Sequence, residues 1–253
     1  MKFGTRCLLF VSMALFGCER SPASSTLAHV DAEPAAFVPA PARAYAAPVF
    51  AKTVPIDGDL PIFVVEAKQH SDVRIVFLHG ACTHALGYIQ AFQFAAAEHG
   101  TLIALQGEHD CGHTYRSWAG DAPRTMRRIE TAFSQAGHHE PAPILAIGHS
   151  QGAILAASLA AKYPKQTTRL ILIGSPKVVD ANSLKALDGA VMMAGTFDNR
   201  ALMRASMKEL LRVGVPSTFI EIPNAQHGQL LEGEKLMGEA LRWLEKNAKS
   251  SAK

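Results

Sequence analysis

Gly148-His149-Ser150-Gln151-Gly152 lies between the apolar run Ile144-Leu145-Ala146-Ile147 and the small-residue run Ala153-Ile154-Leu155-Ala156-Ala157. This juncture constrains the fold more than any other feature of the chain. An apolar run of four followed by a glycine-flanked turn reads as a buried strand, and the Ala/Leu-rich run after it reads as a helix. Two glycines flanking the turn let a strand and a helix approach closely through a tight bend. The hydroxyl of Ser150 is thereby lifted onto the apex of a strand-turn-helix unit. A serine that merely caps the helix would leave the same local pattern.

The rest of the chain repeats strand and helix patterns in alternation. Asp57-Gly58, between Phe50–Pro55 and Leu60–Ala67, predicts an opening hairpin. Strands are predicted at 73–79 and 101–105, followed by the Ser150 strand and by strands at 169–173, 190–195 and 217–223. Helices are predicted near 85–98, 122–136, 199–213 and 233–247. Asp121 is placed to cap the second of these, with Pro123 in its first turn. Leu236, Ala240, Trp243 and Leu244 share one face of the last, as a core-facing stripe does. Such alternation predicts an α/β fold with a mostly parallel sheet of about eight strands and helices on both faces.

Two further polar residues stand just past predicted strand ends. Asp198 follows the run Ala190–Gly195, and His227 follows Ser217–Pro223 through Asn224-Ala225-Gln226. Parallel strands bring the residues beyond their carboxyl ends to one edge of the sheet. His227 is the only histidine after Ser150. Asp180 and Asp188 are the other acids near Asp198, but neither follows a strand pattern. A serine hydroxyl becomes a competent nucleophile when an imidazole accepts its proton and a carboxylate fixes the imidazole.

With these residues in order, the chain resembles the α/β-hydrolase superfamily of serine hydrolases. The resemblance covers about 49–249 at the level of element order and motifs. It implies Ser150 as nucleophile, Asp198 as acid and His227 as base. His79-Gly80-Ala81-Cys82, after the third strand, resembles the family's oxyanion loop. That likeness makes the backbone N–H groups of Ala81 and Gln151 the oxyanion donors, with His79 and His149 structural. Only Ser175 to Gly189 separates the sixth strand from the acid strand, so no large cap domain fits there. An open site of the compact dienelactone-hydrolase-like or carboxylesterase-like kind is implied. The implied activity is hydrolysis of carboxylic esters or thioesters without a cofactor. A peptidase or amidase would use the same residues, and a binding lipoprotein could keep the scaffold without the chemistry.

The N-terminus carries what looks like an address. Lys2 and Arg6 precede an apolar stretch from Cys7 to Phe16 that is too short to span a bilayer. It ends in Leu15-Phe16-Gly17-Cys18, which resembles a bacterial lipoprotein signal. That resemblance predicts a signal peptide at 1–17, acylation (palmitate-type) of Cys18, and a cell-envelope location on the outer-membrane or periplasmic side. A plain secretory signal is the alternative. Residues 18–48, rich in Ala and Pro, form an expected tether, and 49–253 the hydrolase domain. Loss of 1–17 removes Lys2 and Arg6 and no acid, so the 25 basic residues of the whole chain fall to 23 against 22 acidic. That balance argues against a nucleic-acid partner and leaves a small ester-type molecule and the membrane as expected partners.

The segment after the fourth strand, Gln106 to Trp118, leaves the same sheet edge as the other loops. Tyr115 and Trp118 are candidates for the substrate-pocket wall, or for covering core beneath a long loop. Arg116 could meet an acidic group or stay solvated. Cys82 and Cys111 lie in loops that the fold makes neighbours, and in an oxidising compartment they are expected to form a disulfide. Free thiols, or a metal site with His84, His109 and His113, are the competing readings. The spacings match no common zinc pattern, and no metal is predicted.

Overall fold

The structure, a computed structural model, describes residues 51–69 and 71–249. The expected signal segment 1–17, the lipidation site Cys18 and the tether 18–48 lie outside the described residues. Ten strands and six helices follow in chain order: β1 (Lys52–Val54), β2 (Ile62–Val65), β3 (Arg74–Leu78), α1 (Ala85–Ile89), α2 (Gln93–His99), β4 (Thr101–Leu105), β5 (His109–Asp110), β6 (Arg116–Ser117), α3 (Ala122–Gln135), β7 (Ile144–His149), α4 (Gln151–Lys162), β8 (Thr167–Ile173), β9 (Gly189–Phe197), α5 (Arg200–Arg212), β10 (Ser217–Gln226) and α6 (Gly233–Asn247).

Eight of the strands form one sheet in the order β1-β2-β4-β3-β7-β8-β9-β10. β1 pairs antiparallel with β2, and β2 antiparallel with β4. Every other pairing in this sheet is parallel, and β5 and β6 form a separate antiparallel pair. The predicted sheet is therefore observed, opening hairpin included. Parallel strands covered on both faces are buried along their whole length, and β3 and β7 are buried at every position, the polar Arg74 and His149 included. The pleat sends alternate side chains to two cores. Val76, Leu78, Ala146, Leu170 and Leu172 join α3, α4 and α5 on one face. Ile75, Phe77, Ile147, Ile171 and Ile173 join α1, α2 and α6 on the other.

The one helix expected near 85–98 is two. Phe92 takes φ −149°, which no helix continues through. The new helix start is capped from far away in sequence, since Glu234 of α6 accepts hydrogen bonds from the Phe94 and Ala95 N–H groups at 3.1 and 2.6 Å. A carboxylate at a helix N-terminus meets both free N–H groups and the positive dipole end. The α3 start follows expectation, with Asp121 accepting from the Arg124 N–H at 2.9 Å. Between β8 and β9 stands only a short 3-10 turn, Ala181–Leu184. Among the described residues no helix is long and apolar enough to cross a membrane.

Candidate active site

Ser150 occupies the turn between β7 and α4 with φ 52° and ψ −113°. Its N–H donates to the Ile173 carbonyl at 2.9 Å, which ties the turn to β8. A non-glycine residue in this backbone region costs on the order of 1–3 kcal/mol and persists only where the surroundings enforce it. Gly152 is part of that enforcement. A Cβ there would stand 2.0 Å from the Leu78 carbonyl oxygen, so only glycine lets α4 pass this close to β3.

The three residues singled out in the sequence meet here. His227 Nε2 lies 3.0 Å from Ser150 Oγ, and His227 Nδ1 lies 2.8 Å from Asp198 Oδ1. The carboxylate can only accept, so Nδ1–H donates to it and Nε2 is left to accept the serine proton. The Asp198 side chain is 5% exposed and that of His227 46%. The other two acids are elsewhere. Asp180 caps the 3-10 turn through the Asn182 N–H, and Asp188 precedes β9 at its amino end.

The turn after β3 lies over the serine. A Cβ on Gly80 would be 3.3 Å from Ser150 Cβ. Ala81 follows in this turn, and Gln151 opens α4. Neither backbone N–H donates to a protein acceptor among the described residues. A free N–H at a helix start is what a developing oxyanion requires.

Several side chains hold this turn. His79 Nδ1–H donates to the Gly80 carbonyl at 2.7 Å, and Nε2 accepts from the Gly107 N–H at 2.8 Å. Burial pushes the His79 pKa down to about 4, so the ring is neutral and can play both parts. Trp118 is buried, and its indole N–H donates to the His79 carbonyl at 2.7 Å. The Gln151 side-chain amide exchanges two hydrogen bonds with the Trp118 backbone, at 3.0 and 3.1 Å. Cys82 and Cys111 are joined in a disulfide, which removes both thiols from metal chemistry. Among the described residues no group of three His, Cys, Asp or Glu side chains could hold a metal ion. Beside the disulfide, Thr83 and Arg116 exchange backbone hydrogen bonds at 3.1 and 2.9 Å. Arg116 itself pairs with Asp110 at 3.6 Å within the β5–β6 hairpin.

Three participants were not legible in advance. His149, read as a structural residue whose ring need not face the site, is 3% exposed and packs between Tyr88 and His227, with ring centroids 4.7 and 5.0 Å away. Neither of its ring nitrogens has a hydrogen-bond partner among the described residues. Burial, then the neighbouring His227, pushes its pKa down to about 3. The ring is therefore neutral near pH 7 and adds no positive charge beside His227. The Gln151 amide clamp is the second participant. Gly174, after β8, is the third, since a Cβ there would stand 2.5 Å from Asp198 Oδ2 and 3.2 Å from His227 Nδ1.

Tyr115 is 49% exposed and lines a hollow of about 430 Å³ with Tyr88, Gly228 and Leu230. Trp118 and Gln151 line a different hollow, of about 550 Å³, along α4. A third cavity, of about 680 Å³, is lined by Arg74, Thr101 and Pro143 at the amino edge of the sheet, away from Ser150.

Naproxen esterase (carboxylesterase NP) from Bacillus subtilis superposes with a TM-score of 0.59 at 11% identity, over 78% of this chain and 92% of the esterase. The fold is the α/β-hydrolase fold. An esterase from the fungus Rhizomucor miehei matches with a TM-score of 0.55 at 14% identity, over 78% of this chain and 82% of that one. A membrane phospholipase A, described as a bacterial virulence factor, matches with a TM-score of 0.55 at 14% identity, over 78% and 86%. No protein-family model matches the chain, and no curated protein sequence matches it. At these identities the likeness concerns the fold alone.

Proposed function

We propose that this protein is a serine hydrolase that cleaves carboxylic esters or thioesters through an acyl-enzyme. The observation that carries the reading is the continuous hydrogen-bonded line from Ser150 Oγ through His227 to Asp198, with links of 3.0 and 2.8 Å, starting from a serine held at φ 52°. Nucleophile, base and orienting group within hydrogen-bond reach make up the geometry of activated attack.

In the scheme, Ser150 Oγ attacks the ester carbonyl carbon as its proton passes to His227 Nε2. Asp198 keeps Nδ1 protonated and stabilises the imidazolium. The Ala81 and Gln151 N–H groups receive the carbonyl oxygen as it becomes negative. His227 then returns the proton to the departing alcohol oxygen, and the C–O bond breaks. Water, activated by the same imidazole, releases the acyl group from Ser150. Tyr115 walls the adjoining hollow, and Trp118 steadies the oxyanion turn through its hydrogen bonds. Esters suit the open edge, with only a short 3-10 turn between β8 and β9. We also propose export with lipid attachment at Cys18, a reading that rests on the sequence and is tested by radiolabelled palmitate incorporation and its loss in Cys18→Ser.

The test is covalent labelling of the full chain with a fluorophosphonate, with the adduct located by mass spectrometry. The adduct is expected on Ser150, absent in Ser150→Ala, and formed at least about 10³-fold more slowly in His227→Ala. Folded protein that never labels refutes the proposal.

A further inference from the structure

The hollow of about 430 Å³ is lined by Gly228 and Leu230, the residues that follow the base His227 in its loop. Its walls are Tyr88 of α1, Ala91 beyond it, Gly228 and Leu230 after the base, and Cys82 and Tyr115 of the clasped loops. Among the described residues no Asp, Glu, Lys or Arg lines it. His84 is its one imidazole, and burial holds that ring's pKa below the ordinary value. The Tyr88 hydroxyl lies near Gly228, whose added Cβ would meet it at 3.2 Å. That phenol stays protonated, since burial pushes its pKa up to about 12.

Reaction geometry assigns this space. The proton that His227 Nε2 takes from Ser150 must go to the leaving oxygen, so the alcohol half of the ester has to lie on the His227 side. The oxyanion occupies the Gly80–Ala81 turn and the start of α4. The acyl chain is left to run toward α4 and the loop after β8. The hollow along α4, lined by Trp118, Gln151 and Ile154, has no base-loop residue in its wall.

Resting on the serine-hydrolase reading above, we propose that the hollow between α1, the base loop and the Cys82–Cys111 clasp is the leaving-group pocket, and that it takes the uncharged apolar alcohol of an ester, aryl or branched alkyl. An apolar cavity with two tyrosine walls and no fixed charge offers contact area to a ring and no compensation for a buried charge. As the tetrahedral intermediate collapses, the carbonyl carbon–alcohol oxygen bond breaks. The proton held by His227 Nε2 moves to that oxygen, so the product leaves as a neutral alcohol.

The experiment measures kcat/KM of the full chain for 1-naphthyl and ethyl acetate, and for phenyl acetate and phenyl butyrate. Gly87 lies on α1 and lines the hollow, and a Cβ added there meets nothing within 4 Å. Gly87→Phe therefore fills the space without clashing at its base, and it removes a glycine from a helix. The naphthyl-to-ethyl ratio is expected to fall about tenfold, with the butyrate-to-acetate ratio held within about twofold. Tyr115→Ala, on the exposed turn after β5, is the second variant. It leaves the cores untouched and is expected to lower the naphthyl-to-ethyl ratio about threefold. A naphthyl-to-ethyl ratio that neither variant moves, or a change confined to the acyl series, overturns the assignment. Fluorophosphonate labelling of the unsubstituted chain separates the two levels. Labelled Ser150 with an insensitive alcohol ratio sinks the pocket alone, whereas an unlabelled serine sinks the underlying reading.

Discussion

Gly174→Ala separates local backbone strain from damage to the acid–base pair. Gly174 sits at φ +56°, and a Cβ there would lie 2.5 Å from Asp198 Oδ2 and 3.2 Å from His227 Nδ1. Ordinary contact begins at 3.4 Å, so the carboxylate must retreat by about 0.9 Å. The Oδ1–Nδ1 bond of 2.8 Å stretches or breaks with it. The left-handed backbone costs an L-residue about 1–2 kcal/mol, or about 2–8 °C in Tm for a domain of this size. Displacement of a catalytic group by about 1 Å costs about 10²-fold in rate. Gly214→Ala is the matched control. It sits after α5 at φ +78° with nothing within 4 Å of an added Cβ, so it carries the backbone cost without the clash. The assay pairs thermal unfolding by circular dichroism with the second-order rate of fluorophosphonate labelling. Similar Tm losses in the two variants are expected, with the rate about 10²-fold down only in Gly174→Ala. Equal labelling rates in the two would refute the claim that Gly174 makes room for Asp198.

Acid should weaken the fold through two histidines. His79 and His149 have native pKa values of about 4 and about 3, against 6.5 unfolded. The unfolded chain binds more protons below neutrality, so stability is level above about pH 7 and falls as pH drops from 6.5 toward 4. The loss reaches on the order of several kcal/mol, and urea midpoints against pH would read it; midpoints unchanged between pH 7 and 4.5 would contradict it. Reduction of the Cys82–Cys111 disulfide, which spans a sequence separation of 29, should cost about 3–4 kcal/mol. It should also slow labelling, because Ala81 adjoins Cys82, and a reduced protein that labels as fast as the oxidised one would show that the Thr83–Arg116 pairing suffices. His149→Ala removes the ring that Tyr88 and His227 both pack against and should lower kcat more than it raises KM. His149→Phe keeps the shape and should restore most of the loss, so a Phe variant as slow as Ala would assign the ring nitrogens a role.

What could be read from the sequence was local in origin. The Ser150 turn is specified by residues within five positions of one another, and β4 and α6 have the predicted bounds, as a local apolar period allows. His227 was legible for a different reason, as the one histidine in chain order after Ser150. The break between α1 and α2 was not legible, because the carboxylate that caps the second helix comes from Glu234, some 140 positions later. His149 was readable as part of a motif but not as a neighbour of His227, since that packing exists only once β7 and the loop after β10 meet. The sequence points to the Gln151 backbone N–H, and nothing near it in sequence reveals that its side chain clamps Trp118. Gly174 is the hardest case. Its contribution is the volume it leaves empty, and the two side chains that need that volume belong to later elements. A functional residue is legible from sequence when its side chain does the chemistry. One that serves by lacking a side chain becomes legible only when its neighbours are in place.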